Sequence, residues 1–300
     1  MKLFSTPKEE ILFPDSLKTD EEGFHFFSYL IKETQKKKRF ILNFEHVEWV
    51  EANLCAVLGA IVATNTKTYG AKFEFVNMKN SYLETTLRNN GFLKEITGEE
   101  RDTRKSSAVP YQEFSMKNEE VVEEYIFKYV LLKEEVPKMS KGAKKKIYRS
   151  IFELYQNSVL HSGADQVFVC GQFFRYKGRM ALTMVEIGKT FEENVKSCYL
   201  EFEHFSGADC LNWAVKSGNT TKPETETGGL GLDLIRDFLK MNQGKLQIRS
   251  GNGYWIEKNG MTNFEECERS FCGSIVNIEF NLRDKNEYFL SEELDANSLL

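Results

Sequence analysis

The stretch SKGAKKKIYRSIFELYQNSVLHS, residues 140–162, organises the second half of the chain. Its apolar residues recur every four positions from Ile147 to Val159, which predicts a long helix with one buried face. Polar groups beside such a face are costly to bury without partners. This flank is either a solvated helix face or part of a functional site. It consists of four residues spaced four apart, which share one side of the helix: Arg149, Glu153, Asn157 and His161.

Lysines crowd the first turns of this helix, at positions 141 and 144–146. Their charges oppose the helix dipole, which is unusual. They form either a surface cluster or a surface that meets phosphate or an acidic partner.

Composition limits the class of protein. The chain has 300 residues and 41% hydrophobic residues, which suits two globular domains. A net charge of −5 argues against direct nucleic-acid binding. We find neither a signal-peptide pattern nor a stretch of about 18 apolar residues, so no membrane span is expected. The six cysteines form no CxxC pair and the four histidines no metal-ligand cluster, which favours free thiols in a cytoplasmic protein.

Strands and helices alternate over the first 100 residues, which predicts an α/β unit. Residues 39–96, with ILNFEHVEWVEANLCAVLGAIVA, YGAKFEFVNM and LETTLRNNGFLKEI, resemble a STAS domain, the anti-sigma-factor-antagonist fold. The phosphorylatable loop of that family falls on residues 51–54 here, which contain no hydroxyl group. Serine phosphorylation is therefore not expected there, and Glu51 and Asn53 could mimic only one state of a switch.

A glycine-rich segment, TGGLGL at residues 227–232, runs directly into a predicted helix from Leu230 to Met241. Glycines let the backbone approach an anion, and a helix N-terminus adds free N–H groups, so the segment could cradle phosphate. The preceding residues, 217–229, carry turn-formers and hydroxyls and predict a mobile loop. Two strands, Gln166–Phe174 and Met180–Glu186, and a final strand, Gly273–Leu282, complete this half.

In this order the motifs resemble the GHKL ATP-binding fold of gyrase, MutL, histidine kinases and anti-sigma-factor kinases. ELYQN with His161 resembles the N-box, EIGKTF the first glycine box, GGLGL the second, and CGSIVNIEF the last strand's motif. The resemblance implies ATP and Mg²⁺ as ligands. Asn157 would coordinate Mg²⁺, and Glu153 would act as the catalytic base.

The resemblance also implies nucleotide contacts. Glu186, where the family has Asp, would accept the adenine amino group, and Gly188 would let the base lie against the backbone. Thr190 stands where the family has a second glycine. His161 either contacts the nucleotide or hydrogen-bonds the last carbonyls of its helix. The phosphates would be held by the second glycine box and the lid before it: Thr220, Thr221, Lys222, Gly228, Gly229, Leu230, Gly231 and Leu232.

We therefore expect an α/β protein with a STAS-like domain at 1–100, a linker at 101–114, a GHKL domain at 115–285 and an acidic tail at 286–300. The GHKL domain should place helices on one face of a mixed sheet. The expected function is that of an ATP-binding regulator of a partner protein, which hydrolyses ATP slowly or uses it as a switch. A serine/threonine kinase acting on a separate substrate and a non-catalytic ATP-gated module are the alternatives, and the chain could form a homodimer.

Overall fold

The computed structural model describes residues 8–78, 81–98, 108–115, 119–219, 221 and 230–293; within these, the side chains of residues 81, 97, 158–161, 230 and 231 are not described. The helices are α1 (Glu21–Glu33), α2 (Cys55–Tyr69), α3 (Ser81–Asn89), α4 (Phe92–Thr97), α5 (Glu119–Ile126), α6 (Lys141–Ser162), α7 (Phe191–Cys198), α8 (Gly207–Ala214) and α9 (Leu230–Asn242). The strands are β1 (Lys8–Leu12), β2 (Ser16–Leu17), β3 (Arg39–Asn43), β4 (Trp49–Val50), β5 (Lys72–Val76), β6 (Ala108–Ser115), β7 (Lys138–Met139), β8 (Gln166–Phe174), β9 (Arg179–Glu186), β10 (Lys245–Lys258), β11 (Met261–Asn281) and β12 (Glu287–Tyr288).

The predicted α/β fold class is confirmed. Among the described residues, β1, β3 and β5 form a parallel sheet in the order β1-β3-β5. A larger sheet has the order β10-β11-β9-β8-β6. Each neighbouring pair in this larger sheet is antiparallel, so the expected mixed sheet is wrong. Two of these pairs, β8–β9 and β10–β11, are hairpins, and a short turn reverses the chain direction, which makes the paired strands antiparallel.

Helix α2 is the centre of the N-terminal unit. Every residue from Cys55 to Val62 is buried, which suits a segment that is apolar on all sides. Gly70, in the left-handed conformation, ends the helix. The helix lies between the parallel sheet and the larger sheet, where it contacts β8 and β9.

The larger sheet buries both of its faces. Alternation along β8 sends Val167 and Val169 into a core with α6 and α9. Phe168 and Cys170 point the other way, into a core with α1 and α2. The two predicted domains therefore share a hydrophobic core, because helices of the first cover the back of the second domain's sheet.

The loop predicted to correspond to a STAS switch is buried at this junction. The Glu51 carboxylate accepts hydrogen bonds from the Thr19 backbone N–H (3.0 Å) and hydroxyl (2.8 Å), and it forms an ion pair with Arg179 of β9. The Asn53 amide donates to the Thr183 hydroxyl at 2.8 Å. Glu51 and Asn53 thus join α2 to the sheet that carries the second set of motifs.

The predicted linker at 101–114 is wrong over its second half. Strand β6 pairs with β8, with Phe114 opposite Val167, and forms an edge of the larger sheet. Tyr111 packs edge-on against Phe92, with ring centroids 5.3 Å apart. The apolar residues of this strand sit around an irregularity in the pairing, which hides the strand pattern in the sequence. Residues 101–107 lie outside the described residues.

The polar residues that precede Gly273 belong to a long hairpin. Strands β10 and β11 pair along their length, with irregularities near Gly251. The turn that joins them contains Asn259 and Gly260, which both have positive φ, as a tight hairpin turn requires. The outer part of β11 is largely exposed, so its sequence is polar although its backbone is paired.

The described part of the acidic tail packs on the N-terminus of α6. Strand β12 pairs with β7, and the Glu293 carboxylate accepts from the backbone N–H of Gly142 at 3.2 Å and from the Ser140 hydroxyl. The Ser140 hydrogen bond lowers the pKa of Glu293. The Oε1 atom of Glu292 lies 3.8 Å from the Nζ atom of Lys146. One lysine of the lysine-rich turns thus faces an acidic residue of the chain's own C-terminal segment.

Candidate functional site

A cleft opens between the larger sheet and the helices α6, α7, α8 and α9. It contains about 930 Å³ of empty space, part of it open to solvent. Its walls are mainly apolar: Leu154, Phe191, Val195, Trp213, Ala214, Val215, Leu232, Ile248 and Val276. Its polar lining residues are Asn157, Ser162, Glu186, Lys189, Asn194, Lys216, Asn219, Thr221 and Ser274. An apolar cleft with a few converging polar groups is the usual form of a small-molecule site.

Helix α6 contributes Asn157, which is half-buried and lines the cleft. Ser140 caps the helix by accepting from the Ala143 N–H at 3.0 Å, and Gly163 ends it, so the predicted bounds are confirmed. Glu153 lies one turn before Asn157 and is half-buried, but it does not line the cleft. The side chain of His161 is outside the described residues.

Glu186 ends β9 at the floor of the cleft, and its side chain is 2% exposed. The hydroxyls of Ser274 and Ser162 hydrogen-bond with its carboxyl group. The second oxygen, Oε2, is buried and has no hydrogen-bond partner among the described residues. A buried carboxyl oxygen without a partner is costly unless a ligand supplies a hydrogen bond.

Burial dominates the electrostatics of Glu186. Desolvation raises the pKa of its carboxyl group to about 8, and the hydrogen bonds from Ser274 and Ser162 lower it by less. Within the described ranges, no cation lies within 4.0 Å of this carboxyl to favour the ionised form. The group therefore carries a proton over much of the neutral range and can both donate and accept a hydrogen bond.

Gly188 and Thr190 fix the position of the segment that follows Glu186. A Cβ at Gly188 would overlap the carbonyl oxygen of Ser162, so glycine lets this loop pack against the end of α6. The Lys189 N–H donates to the same oxygen at 2.8 Å. Thr190 caps α7 through a reciprocal pair of hydrogen bonds with Glu193. Neither Gly188 nor Thr190 lines the cleft.

The predicted lid and the predicted second glycine box are described only at their ends. Thr221 lines the cleft, and its carbonyl oxygen lies 3.7 Å from the Cys198 sulfur. Leu232, in the first turn of α9, also lines the cleft. Leu230 and Gly231 begin this helix, as predicted. The remaining predicted phosphate contacts, Thr220, Lys222, Gly228 and Gly229, lie outside the described residues.

Several lining residues were missed by sequence reasoning. Ser162 and Ser274 meet Glu186 from two elements that are far apart in the chain. Ser274 is part of the predicted last motif, CGSIVNIEF, and that was the signal available in the sequence. Lys189 and Lys216 are exposed at the cleft, and neither forms an ion pair with a described residue. Two such cations at a cleft attract an anionic ligand.

Asn157 fits a role as a magnesium ligand in one respect. Its amide oxygen is the kind of hard donor that Mg²⁺ prefers, and this ion commonly takes one or two protein ligands beside water and phosphate oxygens. In the part of the chain that the structure describes, no group of three or more acidic, histidine or cysteine side chains could hold a metal ion by itself.

Comparison with known proteins assigns no family. No family model matches the chain, and no curated protein gives a significant match. Over the residues described, no helix combines the length and apolarity needed to cross a membrane.

Proposed function

We propose that this chain binds ATP together with Mg²⁺ in the cleft between α6 and α9, and that nucleotide binding controls a partner protein in the cytoplasm. The observation that carries the proposal is the buried Oε2 atom of Glu186, which lacks a hydrogen-bond partner among the described residues at the floor of an apolar cleft. A purine amino group would supply the missing hydrogen bond, and the apolar walls suit a flat base.

The arrangement of charge supports a nucleotide rather than a neutral ligand. Glu186 lies at the floor, whereas Lys189 and Lys216 are exposed residues of the lining. A ligand with a neutral flat end and a polyanionic end matches this division. Asn157 and the N-terminal turn of α9 would meet the phosphates and their metal ion.

Titration calorimetry with ATP and Mg²⁺ tests the binding proposal. We expect Glu186→Ala to weaken ATP binding by roughly tenfold or more, the effect of losing a hydrogen bond to a buried polar group. Asn157→Ala should reduce the dependence of binding on Mg²⁺. Asn263→Ala, an exposed change on the outer hairpin, is the control and should leave affinity unchanged. Absence of ATP binding to the wild-type chain would refute the proposal.

Hydrolysis is a second candidate activity, and Glu153 is the residue that decides it. Its position one turn before Asn157 is suited to orienting an attacking water, although Glu153 does not line the cleft. If the chain hydrolyses ATP, Glu153→Gln should abolish phosphate release and retain ATP binding. A wild-type chain that binds ATP but yields neither free phosphate nor phosphoprotein would be a nucleotide-gated module. Phosphorylation of a separate protein, with Glu153 required, would indicate a kinase.

A further inference from the structure

A second cavity lies on the opposite face of the larger sheet, between the first half of α1 and the β10–β11 hairpin. It contains about 640 Å³ of empty space, part of it open to solvent. Its lining is separate from that of the candidate nucleotide cleft and consists of Glu21, Phe24, His25, Arg249, Tyr254, Glu266, Cys267 and Glu268.

Arg249 is a buried cation in the wall of this cavity. Its side chain is 1% exposed, and its Nη2 atom donates to the backbone carbonyl of Arg269. Its Nη1 atom has no hydrogen-bond partner among the described residues. No carboxylate oxygen of a described residue lies within 4.0 Å of the guanidinium. An arginine stays charged even when buried, so the guanidinium is a desolvated positive charge that nearby carboxylates stabilise only from a distance, with no described carboxylate directly paired to it.

The residues around this cation are acidic. Glu21, Glu266 and Glu268 are exposed lining residues. Burial, together with the charge of Glu21 and a hydrogen bond to it, raises the pKa of the neighbouring Glu265. These carboxylates would repel a simple anion on its way to Arg249 and attract an ammonium group.

The walls next to Arg249 are aromatic. Phe24 and Tyr254 meet edge-on, with ring centroids 6.2 Å apart. The Tyr254 hydroxyl accepts from the Gln247 amide at 2.8 Å and retains its own proton for donation. The cavity thus offers a buried guanidinium, an aromatic wall and an acidic edge.

We propose that this cavity binds a small zwitterion of the amino-acid class. The ligand carboxylate pairs with Arg249, since a guanidinium and a carboxylate match through two parallel hydrogen bonds. The ligand ammonium group meets the carboxylates of Glu21 and Glu268, and an apolar side chain packs on Phe24 and Tyr254. Such a ligand joins α1 to β10.

The position of Arg249 also relates this cavity to the nucleotide cleft. Arg249 is adjacent in β10 to Ile248, which lines the cleft on the other face of the same strand. Successive side chains of a strand point to opposite faces of the sheet, so the two sites share one strand without sharing a lining residue.

The test uses the 300-residue chain without nucleotide, so its outcome is separate from that of the ATP experiment. The twenty free L-amino acids are screened by thermal shift, and each one that raises the melting temperature is titrated by calorimetry. Acetate and methylammonium serve as half-ligands. We expect at least one apolar amino acid to bind, and each half-ligand to bind roughly tenfold or more weakly, because each forms only one of the two charged contacts.

Variants locate the site. Arg249→Gln should weaken amino-acid binding by roughly tenfold or more, with folding checked by circular dichroism. Glu268→Lys changes an exposed residue and is expected to fold, so it tests the site even if Arg249→Gln does not fold; it should also weaken binding. Glu203→Lys, an exposed change of the same kind away from the cavity, is the control. The proposal is overturned if no amino acid binds, if acetate binds equally well, or if Glu268→Lys binds like the control.

Discussion

Replacement of Glu186 by glutamine should remove a pH dependence of stability that this one carboxyl group creates. In the folded chain burial raises the pKa of Glu186 to about 8, against an ordinary value of 4.5. Between these two pH values the folded chain holds a proton that the unfolded chain has lost. The contribution of Glu186 to stability is thus fully present below about pH 4.5 and is lost as the pH rises to about 8.

The size of the effect follows from the pKa difference. At about 1.4 kcal/mol for each tenfold change in proton affinity, the loss is about 5 kcal/mol in the free energy of unfolding. Because the side chain is 2% exposed, solvent screens this effect little. The glutamine side chain of the variant cannot ionise, but it keeps an oxygen that can accept from Ser162 and Ser274.

Urea denaturation at pH 5, 6, 7 and 8 provides the measurement. We expect the stability of the wild-type chain, relative to Glu186→Gln, to fall by several kcal/mol across this range, in line with the value of about 5 kcal/mol above. Asn157→Ala is the matched control, because it alters the same cleft without removing an ionisable group. Its stability curve should stay parallel to the wild-type curve. Parallel curves for wild type and Glu186→Gln would show that the carboxyl group is solvated or paired, which would contradict its burial at the cleft floor.

Three further substitutions test contacts that hold the site in place. Glu51→Ala leaves Arg179 without one of its carboxylates at the buried junction, so urea denaturation should show a loss of about 3 kcal/mol; a loss below about 0.5 kcal/mol would mean that the ion pair is unimportant. Gly188→Ala places a methyl group on the Ser162 carbonyl oxygen and should cost about 1–3 kcal/mol and lower the melting temperature; an unchanged melting temperature would contradict the close packing. Thr190→Ala removes the α7 cap and should cost about 1 kcal/mol by the same denaturation assay, whereas Thr190→Ser should restore most of it. Equal stability of Thr190→Ala and Thr190→Ser would show that the hydroxyl does not cap the helix.

Local patterns predicted the elements of this chain well where one physical cause acts within a short segment. The four-residue spacing from Ile147 onwards, with Ser140 before it and Gly163 after it, is sufficient to define α6. The apolar run after Cys55 folds into a buried helix of the predicted α/β unit. Strand β6 was missed because its pairing partner, β8, is distant in the chain and its pattern is interrupted by an irregularity. A short stretch of sequence contains little information about a pairing partner so far along the chain.

For the candidate site, too, the sequence predicted some features and only the tertiary structure decided the others. The sequence by itself predicted Asn157, Glu186 and the start of α9 as candidate site residues, because each stands at a helix face, a strand end or a glycine-rich turn. Only the tertiary structure decided that Glu186 is buried between Ser162 and Ser274, and that Arg249 is buried on the opposite face of the sheet. The described residues leave one atom of each group, Oε2 and Nη1, without a hydrogen-bond partner.

Burial and pairing depend on which distant segments meet. A sequence specifies the chemical groups of a chain, but a local pattern carries no record of the segments that will cover them. Here α1 and α2 pack on one face of the larger sheet, and the helices of the cleft pack on the other. That packing determines which polar groups lose contact with water, and therefore which of them a ligand can satisfy.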